Sequence, residues 1–210
     1  RRRQLLEHAA RHDAVIIEDD YDSESNFTLN PLPALKASDR SGRVVYVSSL
    51  SKALSPGLRL GFMVADPDLI DEARALRRLV YRHPPTNIQY QMAHFLAQGH
   101  YETHLRRYHY DSAQRWERLH AALQRYLPSC RALAGSEHAN AFWLQTPAQI
   151  NTQQLTWRAA HAGVLIEPGA RHFLSAAPPD NYFRMGFHAI NPDAIAQGVE
   201  VLRGQLEQMG

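Results

Sequence analysis

The sequence predicts an α/β protein, and three observations carry that prediction. Short runs that are apolar on both faces, such as Ala14-Val15-Ile16-Ile17 and Val44-Val45-Tyr46-Val47, suit strands of a sheet covered on both sides. Between and after them stand stretches whose apolar residues recur at helical spacing. Turn chemistry separates the segments, as at Asn30-Pro31-Leu32-Pro33 and Ser38-Asp39-Arg40-Ser41-Gly42. The balance of 44% hydrophobic and 21% charged residues is that of a globular chain and excludes wholesale disorder. A formal charge of +2 is too small to demand a nucleic-acid partner, and a single cysteine, Cys130, excludes an intrachain disulfide. Every apolar run falls well short of the ~20 residues that a membrane-spanning helix needs.

Taken in order, the chain opens Arg1-Arg2-Arg3-Gln4-Leu5-Leu6, with Leu5, Leu6, Ala9 and Ala10 on one side of a helix. No apolar stretch follows the arginines as in a signal peptide, and the chain reads as the back part of a longer protein. A first strand over 14–18 is expected to be buried and parallel, and it ends in Glu18-Asp19-Asp20. Polar residues at the carboxyl end of such a strand suit a ligand site, because open α/β sheets bind there. After a loop over 25–43, a second strand over 44–48 ends in Ser48-Ser49-Leu50-Ser51-Lys52, and a third over 60–64 is closed by Asp66-Pro67. A helix from Asp68 to Tyr81 stops before Pro84-Pro85. A helical tract from Thr86 to Leu127 is broken or kinked at Gly99 and stopped by Pro128. The remainder alternates: a strand over 140–144, a helix from Thr152 to His161, a short strand Val164-Leu165-Ile166, a strand over 182–187, and a last helix begun by Asn191-Pro192.

The segment richest in chemistry runs from Val47 to Gly61: Ser48-Ser49-Leu50-Ser51-Lys52, then Ser55-Pro56-Gly57, then Arg59 at the start of the next strand. Hydroxyl, ammonium and guanidinium groups are the donors that a phosphate monoester needs. A lysine amine can in addition form a Schiff base with a carbonyl. This string resembles the cofactor-lysine motif of fold type I aminotransferases, which depend on pyridoxal 5′-phosphate. The resemblance implies that Lys52 is the catalytic lysine that holds the cofactor as an aldimine, and that Ser49, Ser51 and Arg59 bind its phosphate.

A second segment, Glu18-Asp19-Asp20-Tyr21-Asp22-Ser23-Glu24, sharpens the likeness. Ordinary aminotransferases of this class often carry Asp-Asp-Pro-Tyr here. The form without that proline is similar to the aminotransferase-like domain of MocR/GabR-type transcriptional regulators of the GntR family. There the family continues Ser-Glu-Phe, where this chain has Ser23-Glu24-Ser25-Asn26-Phe27. The resemblance implies that Asp19 faces the pyridine nitrogen, so that the ring acts as an electron sink, and that Tyr21 lies near the ring 3-oxygen. Arg184, in Phe183-Arg184-Met185-Gly186-Phe187, is a guanidinium in an apolar strand and needs an anionic partner. In the resembling family an arginine here clamps the substrate carboxylate, and a structural ion pair is the competing reading.

The resemblance therefore implies the C-terminal portion of a fold type I large domain with a smaller C-terminal α/β domain: 1–84 the second half of the cofactor-binding domain, 85–127 a connecting helical tract, and 128–210 the small domain. It implies an effector-sensing domain of a cytoplasmic, homodimeric regulator that responds to an amino compound or to pyridoxal 5′-phosphate itself. DNA would be bound only through an N-terminal winged helix-turn-helix outside these residues. The alternative is a working aminotransferase acting on an amino acid; the Asp-Asp-Tyr-Asp-Ser-Glu form favours the regulator, and full transaminase activity is left open. Other groups receive plainer readings. His100 and His104 share a helix face without a carboxylate at ligand spacing, so no metal site is expected. Arg1-Arg2-Arg3 and Arg106-Arg107 read as solvated faces, and Cys130 as inert.

Overall fold

The computed structural model describes residues 1–27, 32–133 and 140–210; Asn30 and Pro31 of the expected loop lie outside the described residues. Two compact units, Arg1–Tyr108 and His109–Gly210, divide within one long helix, so the tract expected over 85–127 contributes to both.

In the first unit, helix α1 (Arg2–Arg11) closes with Asp13 in the left-handed region at φ +50° and the Ala14 N–H donating to the Ala9 carbonyl at 2.9 Å. That turn delivers the chain to β1 (Ile16–Asp19), which pairs in parallel with β2 (Val44–Ser49). Strand β3 (Gly61–Val64) runs antiparallel on the other side of β2. The central strand carries the core, with Val44 and Val45 buried. Gly61 is required where it stands, since a Cβ would meet the Ser48 carbonyl oxygen across the pair at 2.8 Å. Helix α2 (Pro67–Tyr81) starts on Asp66, whose carboxylate accepts from the Asp68 N–H at 3.1 Å, with Pro67 in its first turn. Helices α3 (Thr86–Ala97) and α4 (His100–Tyr126) are separated at Gly99, φ +72°, where the sequence places the break.

Two-sided burial of the first strand is an expectation for the complete fold, and within these residues the strand is open: Ile17 is 72% exposed, and Val15 before it is also exposed. Among the described residues β1 pairs with β2 alone, so it is an edge strand and turns apolar side chains toward solvent.

In the second unit the strands form an antiparallel sheet in the order β4 (Arg131–Ala132), β5 (Ala141–Gln145), β7 (Tyr182–Gly186), β6 (Glu167–Pro168). Alternate residues Phe142, Leu144, Phe183 and Met185 of its inner strands are buried. Helix α5 (Thr152–His161) is capped by the Asn151 side chain, which accepts from the Gln154 N–H at 3.0 Å. Helix α6 (Ile195–Glu207) presents Ile195, Val199, Leu202 and Leu206 as one buried stripe. It follows a short 3-10 turn, Pro192–Ala194, that Asn191 caps through the Asp193 N–H.

The expected strand Val164-Leu165-Ile166 does not form. The end of α5 consumes it: Gly163 takes φ +85°, and the Val164 N–H closes the helix on the Ala159 carbonyl at 2.8 Å. Pairing begins only at Glu167, opposite Arg184. Among the described residues no helix is long and apolar enough to cross a membrane.

Candidate functional site

Parallel pairing of β1 and β2 brings their carboxyl ends to one edge of the sheet. Asp19 is in register with Val47, so Asp19, Val47 and, two residues on, Ser49 share one face. The loop that follows β1 carries Tyr21 and Asp22, and the loop that follows β2 carries Ser51 and Lys52. Arg59 stands two residues before Gly61, which is in register with Ser49, so it too belongs to this edge. Its backbone is in the left-handed region, φ +48°, which is uncommon for a non-glycine residue.

The two loops meet at Lys52. Its ammonium is ion-paired with Asp22 Oδ1 and lies 4.9 Å from the centroid of the Tyr21 ring, a cation–π contact. Both partners of the ion pair are partly exposed. The turn that presents Lys52 is closed by the Leu54 N–H on the Leu50 carbonyl, with Leu50 and Ala53 buried on either side of the lysine. Ser49 Oγ accepts from the Ser51 N–H at 3.2 Å, which ties the two expected phosphate-binding serines together. Beneath the loops, Asp20 links the two strands. Its carboxylate accepts from the Tyr46 hydroxyl at 3.0 Å, and its carbonyl from the Ser48 hydroxyl at 2.8 Å. Burial, together with the charge of Asp20, pushes the Tyr46 phenol up.

The structure thus brings Tyr21 and Lys52 into contact, joins Ser49 to Ser51, and leaves Asp19 and Arg59 exposed at the same edge. Arg184 lies in the second unit, on β7 between Trp143 and Glu167 in register. It is 3.3 Å from Glu167 Oε2, and the same carboxylate lies 3.6 Å from Arg171 and 3.5 Å from His172. The anionic partner that the sequence required is therefore supplied, in this structure, by Glu167.

Sequence reasoning assigned no role to Asp22, the partner of the site lysine, although it stands inside the motif. It also passed over Lys36, the only other lysine of the chain. That ammonium is spent on structure, donating to the Val44 carbonyl at 2.7 Å and pairing with Asp39 at 3.3 Å. His104, read as one face of a helix, makes a specific bond: its Nε2 lies 2.6 Å from the Ala53 carbonyl. Among the described residues no group of three histidines, cysteines or acids is placed to hold a metal ion. Cys130 is half-buried, and burial pushes its thiol up to about 11.

Comparison with known proteins follows the same lines. The family described as "Aminotransferase class I and II" matches residues 3–202. The chain is 40% identical over 201 residues to the HTH-type transcriptional regulator TauR of Rhodobacter capsulatus, covering 95% of this chain and 41% of that protein. It is 34% identical over 203 residues to the probable rhizopine catabolism regulatory protein MocR of Rhizobium meliloti, covering 96% of this chain and 41% of that protein. Among solved structures, the multiple substrate aminotransferase of Thermococcus profundus superposes with a TM-score of 0.86 at 27% identity, over 99% of this chain and 51% of that one. The chain therefore spans about two fifths to one half of the length of these relatives. With the family matched over nearly its whole length, this chain belongs to aminotransferase class I and II.

Proposed function

We propose that this chain is the effector-sensing part of a DNA-binding transcriptional regulator and that it holds pyridoxal 5′-phosphate through Lys52. The observation that carries the reading is the convergence of Lys52, Tyr21 and Asp22 at the carboxyl edge of two parallel strands. The regulators named above supply the biological direction. The donor set fits the cofactor. Ser49, Ser51 and Arg59 suit a phosphate dianion, Asp19 a protonated ring nitrogen, and Tyr21 a phenolic oxygen, while Lys52 supplies the amine. When bound, the cofactor supplies an aldehyde that amines condense with and a ring that withdraws electrons.

The chain's own contribution begins at the lysine. Lys52 Nζ is a nucleophile only as the free amine, and its ion pair with Asp22 Oδ1 holds the nitrogen in place at the edge of the two strands. Tyr21 lies against the nitrogen and limits the directions from which a carbonyl carbon reaches it. Asp19 at the strand end holds a positive charge in place, and Ser49 and Ser51 anchor the phosphate. Arg184 clamps the carboxylate of an amino-compound effector once it is released from Glu167. The intact protein is a homodimer, and operator DNA is engaged by a helix-turn-helix module outside these residues.

The test is made on the intact protein with its operator. An amino compound added in the presence of pyridoxal 5′-phosphate is expected to change DNA affinity, and Lys52→Ala is expected to remove that response while sparing basal DNA binding. A response that survives Lys52→Ala refutes the assignment. A second reading, a working aminotransferase, is favoured by the likeness to the Thermococcus profundus enzyme. It predicts stoichiometric keto-acid release over many turnovers, which a pure sensor lacks.

A further inference from the structure

Helix α4 begins at His100, and its first two turns carry two side chains that point at the candidate site without belonging to it. Tyr101 and His104 are three residues apart, hence on one side of the helix. His104 Nε2 lies 2.6 Å from the carbonyl of Ala53, the residue next to Lys52, across 51 residues of sequence. A carbonyl only accepts, so Nε2 carries the proton, in the neutral and the charged ring alike. The Tyr101 hydroxyl and Glu24 Oε2 are both fully enclosed, and the Glu24 carboxylate is the neighbouring charge that the phenol feels. Burial and that carboxylate push the phenol well above its ordinary range.

We propose that Tyr101 and His104 are positioning residues that fix the two site loops to one rigid helix, His104 holding the Lys52 turn at Ala53 and Tyr101 holding the Tyr21–Asp22 loop at Glu24. Three features support this. Leu50 and Ala53 are buried on either side of Lys52, so the lysine's direction follows from where that single turn is pinned. The turn is one helical turn long, and its carbonyls have no further helix to bond them. The ion pair that joins the loops, Lys52 to Asp22, is partly exposed and too weak to hold them alone. Residues on one helix face set the spacing between the loops, whereas two separate anchors would let them drift. The idea rests on the reading of Lys52 as the cofactor amine, but the anchoring can be measured without cofactor.

The test compares His104→Gln, which keeps an N–H donor near the Nε2 position, with His104→Leu and Tyr101→Phe, all in the intact protein. The first readout is amide exchange without cofactor. His104→Leu is expected to speed exchange in peptides covering 50–55 by about 5–10-fold, the equivalent of one lost hydrogen bond, and His104→Gln to restore most of it. Tyr101→Phe is expected to speed exchange in 21–27 and leave 50–55 unchanged. The second readout is the rate of borohydride-fixed pyridoxyl labelling at Lys52, counted against Lys36, with a ~5–10-fold loss for His104→Leu and rescue by His104→Gln. Unchanged exchange in His104→Leu overturns the proposal, as does a loss that His104→Gln fails to rescue. If exchange responds as expected but the unaltered protein labels only Lys36, the anchoring stands and the cofactor reading fails.

Discussion

The two sheets of this molecule are built from similar residues and protect them differently. In the second unit Phe142, Phe183, Phe187 and Leu202 are all but inaccessible, sealed between an antiparallel sheet and the apolar stripe of α6. In the first, β2 is the one strand with buried side chains among the described residues; Ile17 on β1, Phe62 and Val64 on β3, and Leu76, Leu79 and Val80 of α2 are exposed within these 210 residues. Yet the first sheet carries Asp19, Ser49 and the turn of Lys52. Within these residues the second unit encloses a core of its own, whereas the unit that carries the candidate site shows one central buried strand and a few long-range polar bonds. Its site is open because its strands end there.

The largest expected effect breaks the sealed half. Phe183→Ala removes a fully buried ring and is expected to cost about 3–5 kcal/mol, read as a large drop in the denaturation midpoint. Ile17→Ala on the open half is expected to stay within ~0.5 kcal/mol. If Ile17→Ala costs as much as a core truncation in the intact protein, β1 is covered there and the contrast is lost.

Between these lies Gly61→Ala, where the new methyl meets the Ser48 carbonyl oxygen at 2.8 Å. The strands must part at the edge that presents the site, at an expected cost of ~1–3 kcal/mol by thermal melting. A stability equal to that of the unaltered protein would show that β3 is looser than the register implies.

Asp39 sharpens the picture of how polar bonds hold the first unit. Burial alone raises a carboxyl pKa, but N–H donors of Val44 and Ser41, the Ser41 hydroxyl and Lys36 override it and hold Asp39 well below the usual carboxylate range. A carboxyl depressed by folding stabilises the fold above its unfolded value and loses that contribution as pH falls. Asp39→Asn is therefore expected to destabilise by roughly 1–2 kcal/mol at neutral pH, with the difference fading below about pH 4. A difference that grows toward acid would contradict the assignment. The smallest effect concerns Cys130, whose thiol is pushed up to about 11 and should react with a thiol reagent at pH 8 far more slowly than free cysteine.

Much of this was legible in the residues. The helix Thr152–His161 is found with the expected bounds, and Gly99 separates two helices as its position predicts. The three strands of the first unit lie within two residues of their expected bounds, because apolar runs flanked by turn residues are strong local signals. What escaped is non-local. The burial of β1 depends on its neighbours rather than on Val15 or Ile17. The run Val164-Leu165-Ile166 has strand composition but is used in ending a helix. Glu18, read as part of a site motif, instead accepts from the N–H groups of Leu35 and Lys36 at 2.5 and 2.9 Å. The bond from His104 to Ala53 spans 51 residues, and no sequence periodicity announces it. The site motif disclosed which side chains to watch; which of them touch was decided by the pairing of β1 with β2.

The central claim is that Lys52 is the amine that takes pyridoxal 5′-phosphate, and within these 210 residues Lys36 is the one other lysine that could compete with it. Incubating the intact protein with the cofactor, reducing with borohydride and mapping the pyridoxyl mass by peptide is expected to place it on the peptide of Lys52, leaving Lys36 unmodified. Lys52→Ala is expected to abolish it. Label carried by Lys36, or label that persists in Lys52→Ala, would contradict the account.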